Sequence, residues 1–126
     1  MPKVLIVDDE PNIRLLLERI IEDLDNSEVE VFIAEEGGKA LKIIKEEKPE
    51  LVFLDIMMPE INGYDVCNIV KNKLKLKDVY IVMLTAKGQE FDKQKGNEVG
   101  ADIYMTKPFN PDEIAKKTVE VLGLVT

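Results

Sequence analysis

The chain has 126 residues and a formal charge of −8, with 17 Lys and Arg against 25 Asp and Glu. That length fits one domain over 1–126, and so acidic a composition excludes a general nucleic-acid or anionic-membrane binder, which needs a basic face. The absence of His removes Ser-His-Asp and Cys-His catalysis and His-ligated zinc, and leaves oxygen-held Mg²⁺ or Ca²⁺ as the leading metals.

Lys3–Val7 is a short apolar run that predicts a strand buried on both faces. Pro11 opens a helix whose inner stripe is Ile13, Leu16, Leu17, Ile20, Ile21 and Leu24. Val29–Ala34 predicts a second strand, and a helix through Ala40, Leu41, Ile43 and Ile44 must stop before Pro49. Leu51–Leu54 is a third strand, followed by a helix over Asn62–Asn72 that packs through Tyr64, Val66, Cys67, Ile69 and Val70. Gly63 is read as a backbone device near that helix start, and Cys67 as a packed thiol. Tyr80–Leu84 is a fourth strand, and a weakly apolar helix over Phe91–Val99 ends at Gly100. Asp102–Met105, short and less apolar, predicts an edge strand. Asn110 caps a last helix, with Pro111 at its first position, Glu113 three residues after the cap, and an inner face of Ile114, Val119 and Leu122.

Strand-helix alternation five times over predicts an open, doubly wound parallel α/β sheet with helices on both faces, its ligand crevice beyond the carboxyl ends of the strands. No apolar run reaches the roughly 20 residues of a membrane span, no signal peptide is evident, and a lone Cys67 cannot close an internal disulfide. A cytoplasmic location is therefore expected.

The residues just past the strand ends carry the chemistry: Asp8, Asp9 and Glu10 after the first, Asp55 after the third, Thr85 after the fourth, Thr106 and Lys107 after the fifth. If the first and third strands are neighbours, Asp8, Asp9 and Asp55 converge, and such carboxylates resist joint ionisation unless a cation sits among them. Carboxylates, a hard metal, Lys107 and the Thr85 hydroxyl together predict a phosphoryl-transfer site.

The stretches VLIVDDE, LVFLDIMMPEINGYD, IVMLTA and GADIYMTKPF resemble, in order and spacing, the motifs of the response-regulator receiver domain of two-component signalling. The resemblance implies a CheY-like, flavodoxin-like fold with strand order 2-1-3-4-5. It also implies a phosphoprotein that takes a phosphoryl group from a phospho-His on a sensor histidine kinase, with Mg²⁺. Asp55 matches the phospho-acceptor. Asp9 matches the direct Mg²⁺ ligand, Asp8 its neighbour acting through water, and Met57 the position whose backbone carbonyl binds the metal. Thr85 matches the switch hydroxyl, Tyr104 the aromatic switch and Lys107 the partner of Asp55 or its phosphate. Lys107–Pro108 matches a bond that is usually cis. Lys93, Glu113 and Lys117 match charged positions of a symmetric dimer face on the fourth helix, fifth strand and fifth helix, from which Ile103 departs. That face is expected to bind a second copy or a downstream output protein. The positions two after the acceptor and two after the switch Thr, Met57 and Lys87, are expected to make the phosphate long-lived.

Three rival classes fit less well. A haloacid-dehalogenase-type phosphotransferase needs D-x-D, and Glu10 stands where the second Asp belongs. A flavin carrier needs a Ser/Thr/Gly-rich loop after the first strand, and Asp8-Asp9-Glu10-Pro11 would repel a phosphate without a metal. A receiver-like scaffold that never takes phosphate usually lacks the acceptor or the acidic pair; both are present.

Overall fold

A computed structural model describes residues 1–24, 28–86 and 93–124. The elements are β1 (Lys3–Val7), α1 (Pro11–Glu22), β2 (Glu30–Ala34), α2 (Gly37–Glu47), β3 (Leu51–Asp55), α3 (Gly63–Asn68) running into a π-helical turn (Ile69–Lys73), β4 (Tyr80–Ala86), α4 (Lys93–Val99), β5 (Ile103–Lys107) and α5 (Pro111–Leu122). All strand pairs are parallel, in the order β2-β1-β3-β4-β5. This is the five-stranded, flavodoxin-like sheet expected.

The period of two along each central strand splits the core into two layers. Leu5, Val7, Val52, Leu54, Ile81 and Met83 face α2 and α3, whereas Val4, Ile6, Leu51, Phe53, Val82 and Leu84 face α1 and α5. Because both faces are covered, the inner strands are continuously apolar, which is what lets them be read from sequence.

Several expectations are corrected by packing. Leu16 is turned outward and 41% exposed; Leu17 and Ile21 are the fully buried residues of α1, since the helix meets only the sheet and α5 along one side. In α5 Thr118, not Val119, is buried beside Ile114, its hydroxyl donating to the Ile114 carbonyl at 2.8 Å. The single third helix is instead six α-helical residues and a π turn, marked by the Leu74 N–H donating to the Ile69 carbonyl at 2.8 Å. β5 extends to Lys107 because Thr106 and Lys107 pair with Thr85 and Ala86 despite their polarity. The expected start of the fourth helix at Phe91 lies outside the described residues. Asn110 caps α5 through the Asp112 N–H at 2.8 Å. Gly63 is obligatory: a Cβ there would sit 2.5 Å from the Asp55 carbonyl oxygen, where the chain folds back beneath the end of β3.

Candidate functional site

Parallel register places Val7 beside Leu54, so Asp8 and Asp55 stand together at the carboxyl ends of β1 and β3. Asp8 is fully buried with its polar atoms engaged. Its N–H donates to the Ala34 carbonyl at 3.2 Å. Its carbonyl accepts from Arg14 Nη1 at 2.7 Å, Oδ1 accepts from the Glu10 N–H at 2.9 Å, and Oδ2 accepts from Lys107 Nζ at 2.9 Å. Asp55 is only 4% exposed. Its Oδ1 accepts from the Met57 N–H at 3.3 Å and lies 3.4 Å from Lys107 Nζ.

Lys107, from β5, therefore bridges two buried carboxylates, and its shorter contact is to Asp8, whereas the sequence motif pairs it with Asp55. Burial opposes its charge, but the hydrogen bond to Asp8 and the charges of Asp55, Asp8 and Glu10 outweigh that and hold the ammonium above its ordinary pKa. Asp55 is raised as well, which for an acid disfavours the charged form. Burial, then the Asp8 charge, raise it from 3.8 to about 7; Lys107 pulls it down, and Asp9 adds a hydrogen bond and charge that push it up again. One Lys against this many carboxylates leaves the site short of positive charge.

Carboxylate oxygens of Asp8, Asp9 and Glu10 lie within 4.8 Å of one another. The expected trio was Asp8, Asp9 and Asp55; Glu10 joins Asp8 and Asp9 in the tight cluster, while Asp9 is close enough to Asp55 to raise its pKa. An all-oxygen, multiply anionic donor set fits a hard divalent cation and no soft one.

Thr85 is 2% exposed at the end of β4, one residue beyond the Leu84 that pairs with Asp55. Tyr104 stands 41% exposed on the edge strand, and the Met57 side chain is 63% exposed. Lys107–Pro108 is cis, as expected. Lys87 and the side chain of Lys93 lie outside the described residues. Glu113 is exposed and Ile103 half-buried, whereas Lys117 is drawn into its own molecule, 3.4 Å from Glu120 and 5.9 Å above the Tyr80 ring. Cys67 is buried, its Sγ 3.3 Å from the Val99 carbonyl, and burial pushes the thiol up to about 12.

Sequence reasoning named Glu10 beside Asp8 and Asp9 but left it out of the converging trio, and it missed Arg14. The signal for Arg14 was available: it lies three residues before buried Leu17, so a cation shares the helix face turned toward the sheet.

The chain is 43% identical over 120 residues to the alkaline phosphatase synthesis transcriptional regulatory protein PhoP of Bacillus subtilis, covering 95% of this chain and 48% of PhoP. It is 38% identical over 112 residues to protein PilG of Pseudomonas aeruginosa, covering 89% of this chain and 81% of PilG. The chain spans about half the length of most of the curated relatives it matches. A crystal structure of a response regulator from Chloroflexus aurantiacus superposes with a TM-score of 0.84 at 34% identity, covering 98% of this chain and 99% of that one. Residues 4–119 match the response regulator receiver domain; with the sheet order and the relatives above, the chain belongs to the receiver-domain family of two-component response regulators.

Proposed function

We propose that Asp55 is the phospho-acceptor and that its donor is the phospho-His of a sensor histidine kinase. In the transfer, a carboxylate oxygen of Asp55 forms the new P–O bond as the N–P bond of the donor breaks, and the neutralised imidazole leaves. Lys107 offers its ammonium to the oxygens of the transferring group, and the Met57 N–H fixes the Asp55 carboxylate. Asp9, Asp55 and the Met57 carbonyl would hold Mg²⁺, with Asp8 acting through water and Glu10 adding charge nearby. When bound, Mg²⁺ supplies charge stabilisation at the phosphoryl oxygens and relieves the repulsion among the carboxylates. The observation that carries this reading is Lys107 bridging buried Asp8 and Asp55 beside an acidic cluster.

Phosphorylation would draw the Thr85 hydroxyl toward a phosphoryl oxygen and turn Tyr104 inward from its exposed position. The α4–β5–α5 face then changes shape for an output protein or a second copy. In the second-copy reading Lys117 must first leave Glu120 and Tyr80. No helix among the described residues is long and apolar enough to cross a membrane, in keeping with a cytoplasmic module.

The test is intact mass after incubation with acetyl phosphate and Mg²⁺. Wild type gains one phosphoryl group and Asp55→Asn gains none; labelling of Asp55→Asn at the wild-type level would refute the assignment. Structures with and without beryllofluoride test the switch through the positions of Thr85 and Tyr104.

A further inference from the structure

We infer that Arg14 is a positioning residue of the cation site: it sets the Asp8–Asp9 peptide, and through it the direction of the Asp9 carboxylate. The inference rests on the phosphoryl-acceptor reading above.

The N-cap residue of α1, Glu10, makes no side-chain cap, so the helix start is not tied to the loop in the usual way. Arg14 makes the tie instead. Its backbone N–H donates to the Glu10 carbonyl at 3.2 Å while its guanidinium reaches back to the Asp8 carbonyl at 2.7 Å, a short charge-assisted bond. Asp8 is also pinned from behind by Ala34 and through its side chain by the Glu10 N–H and Lys107.

Asp9 thus sits between two immobilised neighbours. The bond from Arg14 falls on the carbonyl of the peptide that joins Asp8 to Asp9. Without it the carbonyl of that peptide loses its fixed direction, and the exposed Asp9 carboxylate is held less closely toward Asp8, Glu10 and Asp55. Arg14 does not touch the reacting atoms. It acts as the hydrogen-bonding partners behind metal ligands do, and losing such a partner weakens metal binding by about tenfold or more.

The sign of the effect separates positioning from plain electrostatics. Arg14 is a cation beside a cation site. If its charge alone mattered, removing it would tighten Mg²⁺ binding; if positioning matters, removing it weakens binding.

The experiment is calorimetric titration of the whole chain with Mg²⁺, for wild type, Arg14→Met and Arg14→Lys, with metal-free circular-dichroism melts as a folding control. Arg14→Met is expected to bind Mg²⁺ about tenfold more weakly, with Arg14→Lys between it and wild type. In acetyl phosphate labelling, Arg14→Met should need about tenfold more Mg²⁺ for half-maximal rate and reach nearly the wild-type rate at saturation, a split that general destabilisation would not produce. Unchanged or tighter Mg²⁺ binding in Arg14→Met overturns the inference; if that variant does not fold, the same result in Arg14→Lys does so. Wild type that binds no Mg²⁺ would overturn the metal reading itself, whereas normal wild-type binding with an unaffected variant removes Arg14 alone.

Discussion

Two lysines, Lys71 buried and Lys107 half-buried, sit at opposite ends of the sheet, and the difference between them shows where charge is balanced and where it is not. Lys71, in the π turn after α3, pairs with Asp102 at 2.9 Å, and Lys71 Nζ also donates to the Lys77 carbonyl at 3.3 Å. Asp102 in turn accepts from the Ile81 N–H at 2.8 Å, and Gly100, at φ +86, lies against the Lys71 stem. One cation meets one anion, both hydrogen-bonded, at the amino ends of β4 and β5. Lys107 at the carboxyl ends faces Asp8 and Asp55 together, with Asp9 and Glu10 beside them. The residue types are the same and the stoichiometry is not. A balanced pair braces the amino ends of the strands; the carboxyl ends carry an excess of negative charge.

Breaking the balanced pair should have the larger effect on folding. Lys71→Met strands Asp102 without its partner and should cost about 2–3 kcal/mol, somewhat less than a fully buried pair because water reaches Asp102. Urea unfolding measures this, and Lys71→Met combined with Asp102→Asn should recover most of the loss. A loss near zero in the single variant would end the contrast. Cys67 reports on the same region: its buried thiol should resist alkylation in wild type, and faster reaction in Lys71→Met would report opened packing, because losing the Lys71 charge by itself disfavours the thiolate.

At the other end, added Mg²⁺ should stabilise wild type by up to about 2.7 kcal/mol at a hundredfold excess over its dissociation constant. Lys71→Met should keep that full gain while Asp9→Ala loses most of it. An unchanged melting temperature for wild type in millimolar Mg²⁺ would place the cation elsewhere or nowhere.

The acidic excess should also show in pH dependence. Native Asp55 titrates near 7 against 3.8 ordinarily, so between about pH 4 and 7 the folded chain holds a proton that the unfolded chain has lost. Stability contributed by this group is present below that window and is lost as pH rises through it. Asp55→Asn lacks this loss. Without metal its melting temperature should exceed that of wild type by a few degrees at pH 8, the gap closing toward pH 4. An equal gap at both pH values would show that Asp55 ionisation does not carry the strain.

The smallest expected effect is kinetic. Met57 offers no group to orient an attacking water, and a charged Lys87 offers a donor only. Met57→Asn with Lys87→Glu should speed loss of the Asp55 phosphate about tenfold, which requires only about 1.4 kcal/mol. Decay followed by intact mass checks it, and no acceleration would assign the lifetime to other residues.

Local periodicity is sufficient for the alternating elements. Short continuous apolar runs such as LVFL, alternating with helical patterns, read as strands covered on both faces, and Pro11, Asn110 and Gly100 act within one turn of where they stand. Asp55, Asp8, Asp9, Thr85 and Lys107 were legible for a related reason: in an open parallel sheet the residues after the strands share one edge, whatever the rest of the chain does. The strand order was not legible from periodicity; it came from resemblance to a known family, and the sheet bears it out. Nor did local pattern show that Lys107 lies nearer Asp8 than Asp55, that Arg14 reaches the Asp8 carbonyl, that Lys71 is buried, or that Leu16 faces out. Each depends on which neighbour fills a given space. Lys107 and Asp8 are 99 residues apart along the chain, and Lys71, in the π turn, meets Asp102 at the start of a different strand. A sequence window records what a residue can do over a few ångströms of its own backbone. The distances that decide between two carboxylates, or between a surface and a buried lysine, exist only once the β-strands are docked.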